Sequence, residues 1–288
     1  MDNNSTDQTR EVIDEFSRRH PGRFRYLFEA RQGKSHALNS GIREARGELL
    51  AFMDDDVTVE PAWLRNLIGP LVGGKWAGVG GRILPAQDFT PPSWLLLKGP
   101  MSTAGMLALF DMGDSPNELQ QPPFGTNMAF RRSVFGKYGG FRTDMGPCPG
   151  SEMRNEDTEF GRRLLAAGER LRYEPAAVVF HAVPENRLKK PYFLAFWFDY
   201  GRAAIREKKK GPDIFGVSRE YFTMLKIGAQ LVRKALRWML TLNSQRRFYR
   251  KGFVWMLAGE IAEIYRGSVI SADRKHDAAP EIYLDSRT

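Results

Sequence analysis

The period of apolar residues along this chain changes repeatedly, and the changes mark out an order of elements. Ser5 and Gln8 have capping-box spacing ahead of a helical pattern, which predicts a helix over 6–19, followed by a strand over 24–28. A second helix is predicted over 35–45. The apolar run after it predicts a strand over 48–53 that ends in Asp54, Asp55 and Asp56. Pro61 suits the first turn of a helix reaching Leu71, and a further strand is predicted over 77–84. Residues 87–124 are rich in Pro, Gly and Met without a sustained period, and read as a long loop with a short helix bordering a site. Helices follow over 131–138 and 156–167, the latter closed by Gly168, and 177–180 forms a strand ending at His181. This alternation predicts an α/β fold, a sheet with crossover helices.

The last third has a different pattern. Over 219–242, a helical projection puts Arg219, Lys226, Arg233 and Arg237 on one stripe, with Leu225, Leu231, Val232, Ala235 and Met239 across from it. Residues 253–258 form a second apolar stretch, too short to span a bilayer. Either these helices pack on the rest of the protein, or they lie in a membrane interface. Charge favours an anionic surface: residues 187–251 hold 17 Lys and Arg against 4 Asp and Glu, a net +13 that leaves −4 of the overall +9 for everything else. The expected organisation is an α/β domain over 1–186, a basic helical region over 187–270 and a polar tail over 271–288.

At 288 residues and 42% hydrophobic content, the chain can bury a full core. A single Cys148 excludes an internal disulfide framework. The first residues lack the basic and apolar regions of a signal peptide, and no apolar window approaches about 18 residues. The expectation is a cytoplasmic protein, peripheral at the inner face of a membrane.

Two acidic clusters carry the candidate chemistry. Asp54, Asp55 and Asp56 stand where an apolar strand ends, the place where open α/β sheets hold ligands. Three adjacent carboxylates repel one another, so a positive group is expected beside them, such as a hard divalent cation on phosphate oxygens. A solvated acidic turn is the plainer alternative. Glu156 and Asp157 open a helix, which fits either a general base or simple capping. Gly125-Thr126-Asn127 reads as a close backbone approach suited to sugar hydroxyls, or as a turn.

Taken in order, several motifs over 2–182 resemble the inverting, nucleotide-sugar-dependent glycosyltransferases of family 2, with the GT-A fold. They are the Asp2-Asn3-Asn4-Ser5-Thr6-Asp7 start, Gly33-Lys34-Ser35-His36-Ala37-Leu38-Asn39, Asp54-Asp55-Asp56, Gly125-Thr126-Asn127, Gly139-Gly140-Phe141, Glu156-Asp157 with Arg162-Arg163-Leu164, and Tyr173-Glu174-Pro175 leading to His181. The resemblance implies a Rossmann-like mixed sheet with flanking helices and a carboxy-terminal helical region. It implies that Asp54 and Asp56 are the outer residues of an Asp-X-Asp signature holding Mn²⁺ or Mg²⁺ on the donor diphosphate, with His181 as a further metal or phosphate contact. Asp157 matches the general base, with Glu156 beside it. Asp2 matches the nucleobase position, and Gly33, Lys34 and Asn39 line the nucleotide side; Asp54, Asp55, Gly125 and Asn127 complete the donor contacts. The implied partners are a nucleotide-sugar, with UDP as its nucleotide, a glycan or lipid-linked acceptor, and an anionic membrane surface. The expected setting is polysaccharide or glycolipid synthesis.

There are two departures from the family pattern. Relatives carry a strand, a helix and a further strand ahead of the Asp2 motif, so the resemblance predicts a nucleotide-binding half without that unit and a sheet with an exposed edge. Arg237-Trp238 follows Gln230 at the wrong spacing for the Gln-x-x-Arg-Trp motif of processive synthases, which points to single additions. A non-catalytic remnant or scaffold partner remains the alternative, and a metal-dependent nuclease or phosphatase is a further one. No nucleic-acid reading motif is found, so nucleic acid is not an expected partner.

Overall fold

The computed structural model describes residues 1–87, 89–149, 153–208 and 216–276. The chain divides into two compact units, Met1–Phe196 and Trp197–Thr288.

The first unit opens with helix α1 (Thr9–Arg19), which starts later than the capping box suggests. Asp7 Oδ1 accepts the Thr9 N–H at 3.0 Å, while the Ser5 N–H goes to Asp2 Oδ1 at 2.8 Å, so Ser5 is drawn into a turn ahead of the helix. The strand expected over 24–28 shrinks to one parallel bridge, Asp2 with Phe28. Helix α2 (Lys34–Glu44) and strand β1 (Leu49–Met53) follow as expected. A short strand β2 (Val57–Val59) comes next, and helix α3 (Trp63–Val72) begins two residues after Pro61. Strand β3 (Gly78–Pro85), a 3₁₀ turn at Ala104–Leu107 and strand β4 (Asn117–Leu119) lead to strand β5 (Asn127–Arg131). Helices α4 (Arg132–Tyr138) and α5 (Glu156–Ala166) precede strand β6 (Leu171–His181).

These strands make one mixed sheet in the order β1-β5-β3-β6-β2, with β4 also paired to β6. Only β3 and β6 run parallel. Among the described residues β1 pairs with β5 alone, so its other edge is open. β6 is far longer than the 177–180 expected. Pro175 removes a ladder donor, and the pairing with β3 breaks between Gly81 and Arg82 and resumes at Val178. One face of the sheet carries an aromatic core, in which Phe135 and Phe160 stack at 4.9 Å and Phe130 and Phe141 pack around them. The other face buries Leu67 and Leu71 of α3 on Val79, Ala129 and Ala177. Because β1, β3 and β6 point the same way, the ends carrying Asp54 and His181 lie at one edge of the sheet, where β5 begins.

Helix α6 (Lys190–Lys208) runs into the second unit, which continues with α7 (Gly216–Met239) and α8 (Ser244–His276). Within it, Ile205, Ile227, Leu257 and Ile264 form a core joined by Met224, Leu231 and Ile261. Glu263 binds both Arg202, at 3.1 Å, and Arg206, at 2.6 Å. No described helix is long and apolar enough to cross a membrane.

Candidate active site

A cavity of about 870 Å³ opens at this end of the sheet. The turn after β1 and the start of α5 both line it. Its lining also includes Leu38 and Ile42 of α2, Ala45 just after that helix, and the residues of β1.

The triplet expected to attract positive charge has found it within the chain. Lys34 Nζ lies 2.6 Å from Asp54 Oδ1 and 3.8 Å from Glu156 Oε1. Thr126 Oγ1 donates to Asp54 Oδ2 at 2.8 Å, so both Asp54 oxygens are engaged. Burial works against the Lys34 ammonium, but Asp54 and Glu156 outweigh it and raise its pKa above the ordinary lysine value. Burial likewise works against the Asp54 carboxylate, and Lys34 and Thr126 nonetheless lower its pKa.

Asp56 meets a different partner. Its Oδ2 lies 3.5 Å from His181 Nε2, because β2 pairs Val57 with His181 across the ladder. His181 is buried, and burial lowers its pKa against the pull of Asp56. Its Nδ1 has no hydrogen-bond partner, so the ring's polar outlet is Nε2, which Arg187 also approaches at 3.5 Å. An imidazole nitrogen beside a half-exposed carboxylate fits a hard or borderline divalent ion. Among the described residues no group of three or more such ligands is gathered. Phosphate oxygens and water would have to complete the coordination, as is usual for Mg²⁺.

At the start of α5, Asn155 adopts a left-handed φ of 91° and turns the chain into the helix. Asp157 Oδ2 accepts the Gly125 N–H at 2.6 Å and Oδ1 accepts the Thr158 N–H at 2.6 Å. A Cβ on residue 125 would sit 3.1 Å from Asp157 Oδ2, which is the close approach that glycine permits. Glu156 is buried with Oε2 unpartnered, and burial together with the Asp157 charge pushes its pKa up to about 7.

Lys34, Asp54, Asp55, Asp56, Glu156, Asp157 and His181 therefore line one cavity. Five other candidates do not. The Tyr26 hydroxyl and Ser5 occupy both Asp2 oxygens and lower its pKa. Gly33, with φ 133°, donates its N–H to Asn3. Asn39 is clamped at both ends of its amide to the Phe141 backbone, at 2.7 and 2.8 Å. Asn127, fully buried, bonds Trp63, Arg82 and Ala177, and Gly125 serves through its backbone N–H. Thr126, Arg154, Arg187 and Tyr192 also line the cavity and were not singled out as ligands. Only Thr126, inside a motif already noticed, gave a signal.

Residues 1–139 match the family described as glycosyl transferase family 2. The chain is 27% identical over 183 residues to a glucosyl-dolichyl phosphate glucuronosyltransferase of Haloferax volcanii, covering 60% of this chain and 56% of that protein. It is 28% identical over 229 residues to a pre-mycofactocin glycosyltransferase of Mycobacterium tuberculosis, covering 75% of this chain and 44% of the other. The chain thus spans about half the length of the curated relatives it matches. In fold it is similar to a mannosyltransferase of Pyrobaculum calidifontis solved with GDP-Man and Mn²⁺, with a TM-score of 0.54 and 18% identity over 90% of this chain and 75% of that one.

Proposed function

Because the chain belongs to glycosyl transferase family 2 and has the GT-A fold, we propose that it transfers a sugar from a nucleotide-sugar to an acceptor hydroxyl, with inversion at the anomeric carbon. The observation that carries this reading is that two separate acidic groups, from the turn after β1 and from the start of α5, line one cavity with Lys34 between them. One carboxylate cannot serve both ends of a displacement. Asp56 and His181 would hold Mn²⁺ or Mg²⁺ on the donor diphosphate, where the metal neutralises charge on the leaving group. Lys34, kept charged by Asp54, presents an ammonium to the same phosphates. Asp157 takes the proton of the acceptor hydroxyl as its oxygen bonds to the anomeric carbon and the sugar–phosphate bond breaks. The nucleoside diphosphate leaves with the electron pair. Gly125 and Thr158 fix the carboxylate's orientation for that transfer.

A UDP-sugar donor, a glycan or lipid-linked acceptor, single additions and a place at the inner face of a membrane belong to the same reading. The aspartates alone would also suit a nuclease or phosphatase, but the family assignment favours transfer. The test compares Asp56→Ala and Asp157→Asn in the full chain. Asp56→Ala should abolish Mn²⁺-dependent binding of a nucleoside diphosphate by calorimetry, as chelation should in the parent protein. Asp157→Asn should keep that binding and lower transfer by about 10²- to 10⁴-fold. Unchanged metal-dependent affinity in Asp56→Ala, or equal loss of binding and rate in Asp157→Asn, would sink the respective assignment.

A further inference from the structure

Helix α7 has two apolar faces, and the core of the second unit uses one of them. Ile227 is buried, and Met224 and Leu231 pack with it against Ile205, Leu257 and Ile264. On a different arc, Leu225, Val232, Leu236, Met239 and the adjacent Leu240 follow one another at helical spacing and are 52%, 59%, 51%, 55% and 80% exposed. Lys226, Arg233 and Arg237 form an exposed row alongside them. Among the described residues no carboxylate pairs with any of the three. The single apolar stripe read from the sequence is thus divided: Leu231 turns inward, while Leu225, Val232 and Met239 remain outside beside the cations.

We propose that this outer face of α7 lies in the interface of an anionic phospholipid bilayer. Leu225, Val232, Leu236, Met239 and Leu240 enter the acyl boundary, and Lys226, Arg233 and Arg237 reach the headgroup phosphates, their stems lying along the same apolar surface. Charge complementarity selects this occupant. A second copy packed face to face would bring the two unpaired basic rows together, and a nucleic acid would engage the cations while leaving the apolar row in water. The inference deepens the membrane-side placement proposed above and rests on that reading for the acceptor's location alone.

Flotation of the full chain with phosphatidylcholine vesicles, with and without phosphatidylglycerol, tests it. Binding should require phosphatidylglycerol and weaken severalfold as salt rises from about 0.05 to about 0.5 M, where screening shortens the attraction to a few ångströms. Val232→Glu with Leu236→Glu, and separately Arg233→Glu with Arg237→Glu, should each weaken binding by about tenfold or more with unchanged melting, since all four side chains are exposed. Equal binding to neutral vesicles, no binding, or binding indifferent to either pair overturns the proposal. A dimer in sedimentation that Leu236→Glu dissociates overturns it too and assigns the face to self-association. Release of nucleoside diphosphate from donor with a soluble acceptor, measured in the same variants, should persist. Loss of that release in the parent protein as well, with vesicle binding intact, would count against the transferase reading and leave the α7 face standing.

Discussion

Asp157 and Glu156 are neighbours with different surroundings: the first lines the cavity with its oxygens held by backbone N–H groups, and the second is buried with one oxygen unpartnered. Glu156 carries a stability consequence. Its folded-state pKa, raised by burial to about 7 from an ordinary 4.5, means that the folded chain binds this proton more tightly than the unfolded chain. The stability it contributes is full below pH 4.5 and is lost as pH rises through about 7. Glu156→Gln should remove that loss, so the variant should gain about 1–3 kcal/mol on the parent between pH 5 and pH 8 in urea titrations. Parallel pH dependence in the two proteins would clear Glu156 as the source. The acidic positions of the site were legible in the sequence because carboxylates at a strand end and a helix start have few uses. Asn39 and Asn127 were not, because an amide within a motif reads the same whether it faces a ligand or the backbone of Phe141 or Ala177.

At the scale of elements, β1, α2 and α4 follow directly from apolar runs and breaks, whereas β5 and most of β6 do not. β5 hides because its ends, Asn127 and Arg131, are polar, although the three residues between them are buried. The alternating run of β6 is interrupted by Glu174 and Pro175, and it stays one strand because β3 breaks register opposite them. That break depends on Gly81, where a Cβ would press into the Asn127 amide and the Ala177 carbonyl. Gly81→Ala should therefore cost about 1–3 kcal/mol, since a backbone oxygen cannot swing aside as a side chain can. An unchanged urea midpoint would show that β3 and β6 separate there more easily than their pairing implies.

Charge is spread unevenly along the chain: residues 187–251 carry +13, and the rest, with the acidic cavity, carries −4. On the proposed reading the two regions would take different anions, one through a metal ion and the other through its own cations. In the first unit the site also depends on distance along the chain. Asn39 reaches Phe141 across 102 residues and Ser35 reaches Met145 across 110, and with the Lys34 N–H on the Pro147 carbonyl these bonds tie the helix bearing Lys34 to the segment ahead of Glu156. Closing so long a loop costs entropy before any bond repays it, and contacts at such separation slow folding. During refolding from urea, tryptophan fluorescence should recover first, and binding of a fluorescent nucleoside diphosphate should follow after a measurable lag. Coincident recovery in stopped flow would place the loop closure at the start of folding. With the lag, a newly made chain passes through a period in which its core is compact and its acidic cavity does not yet exist.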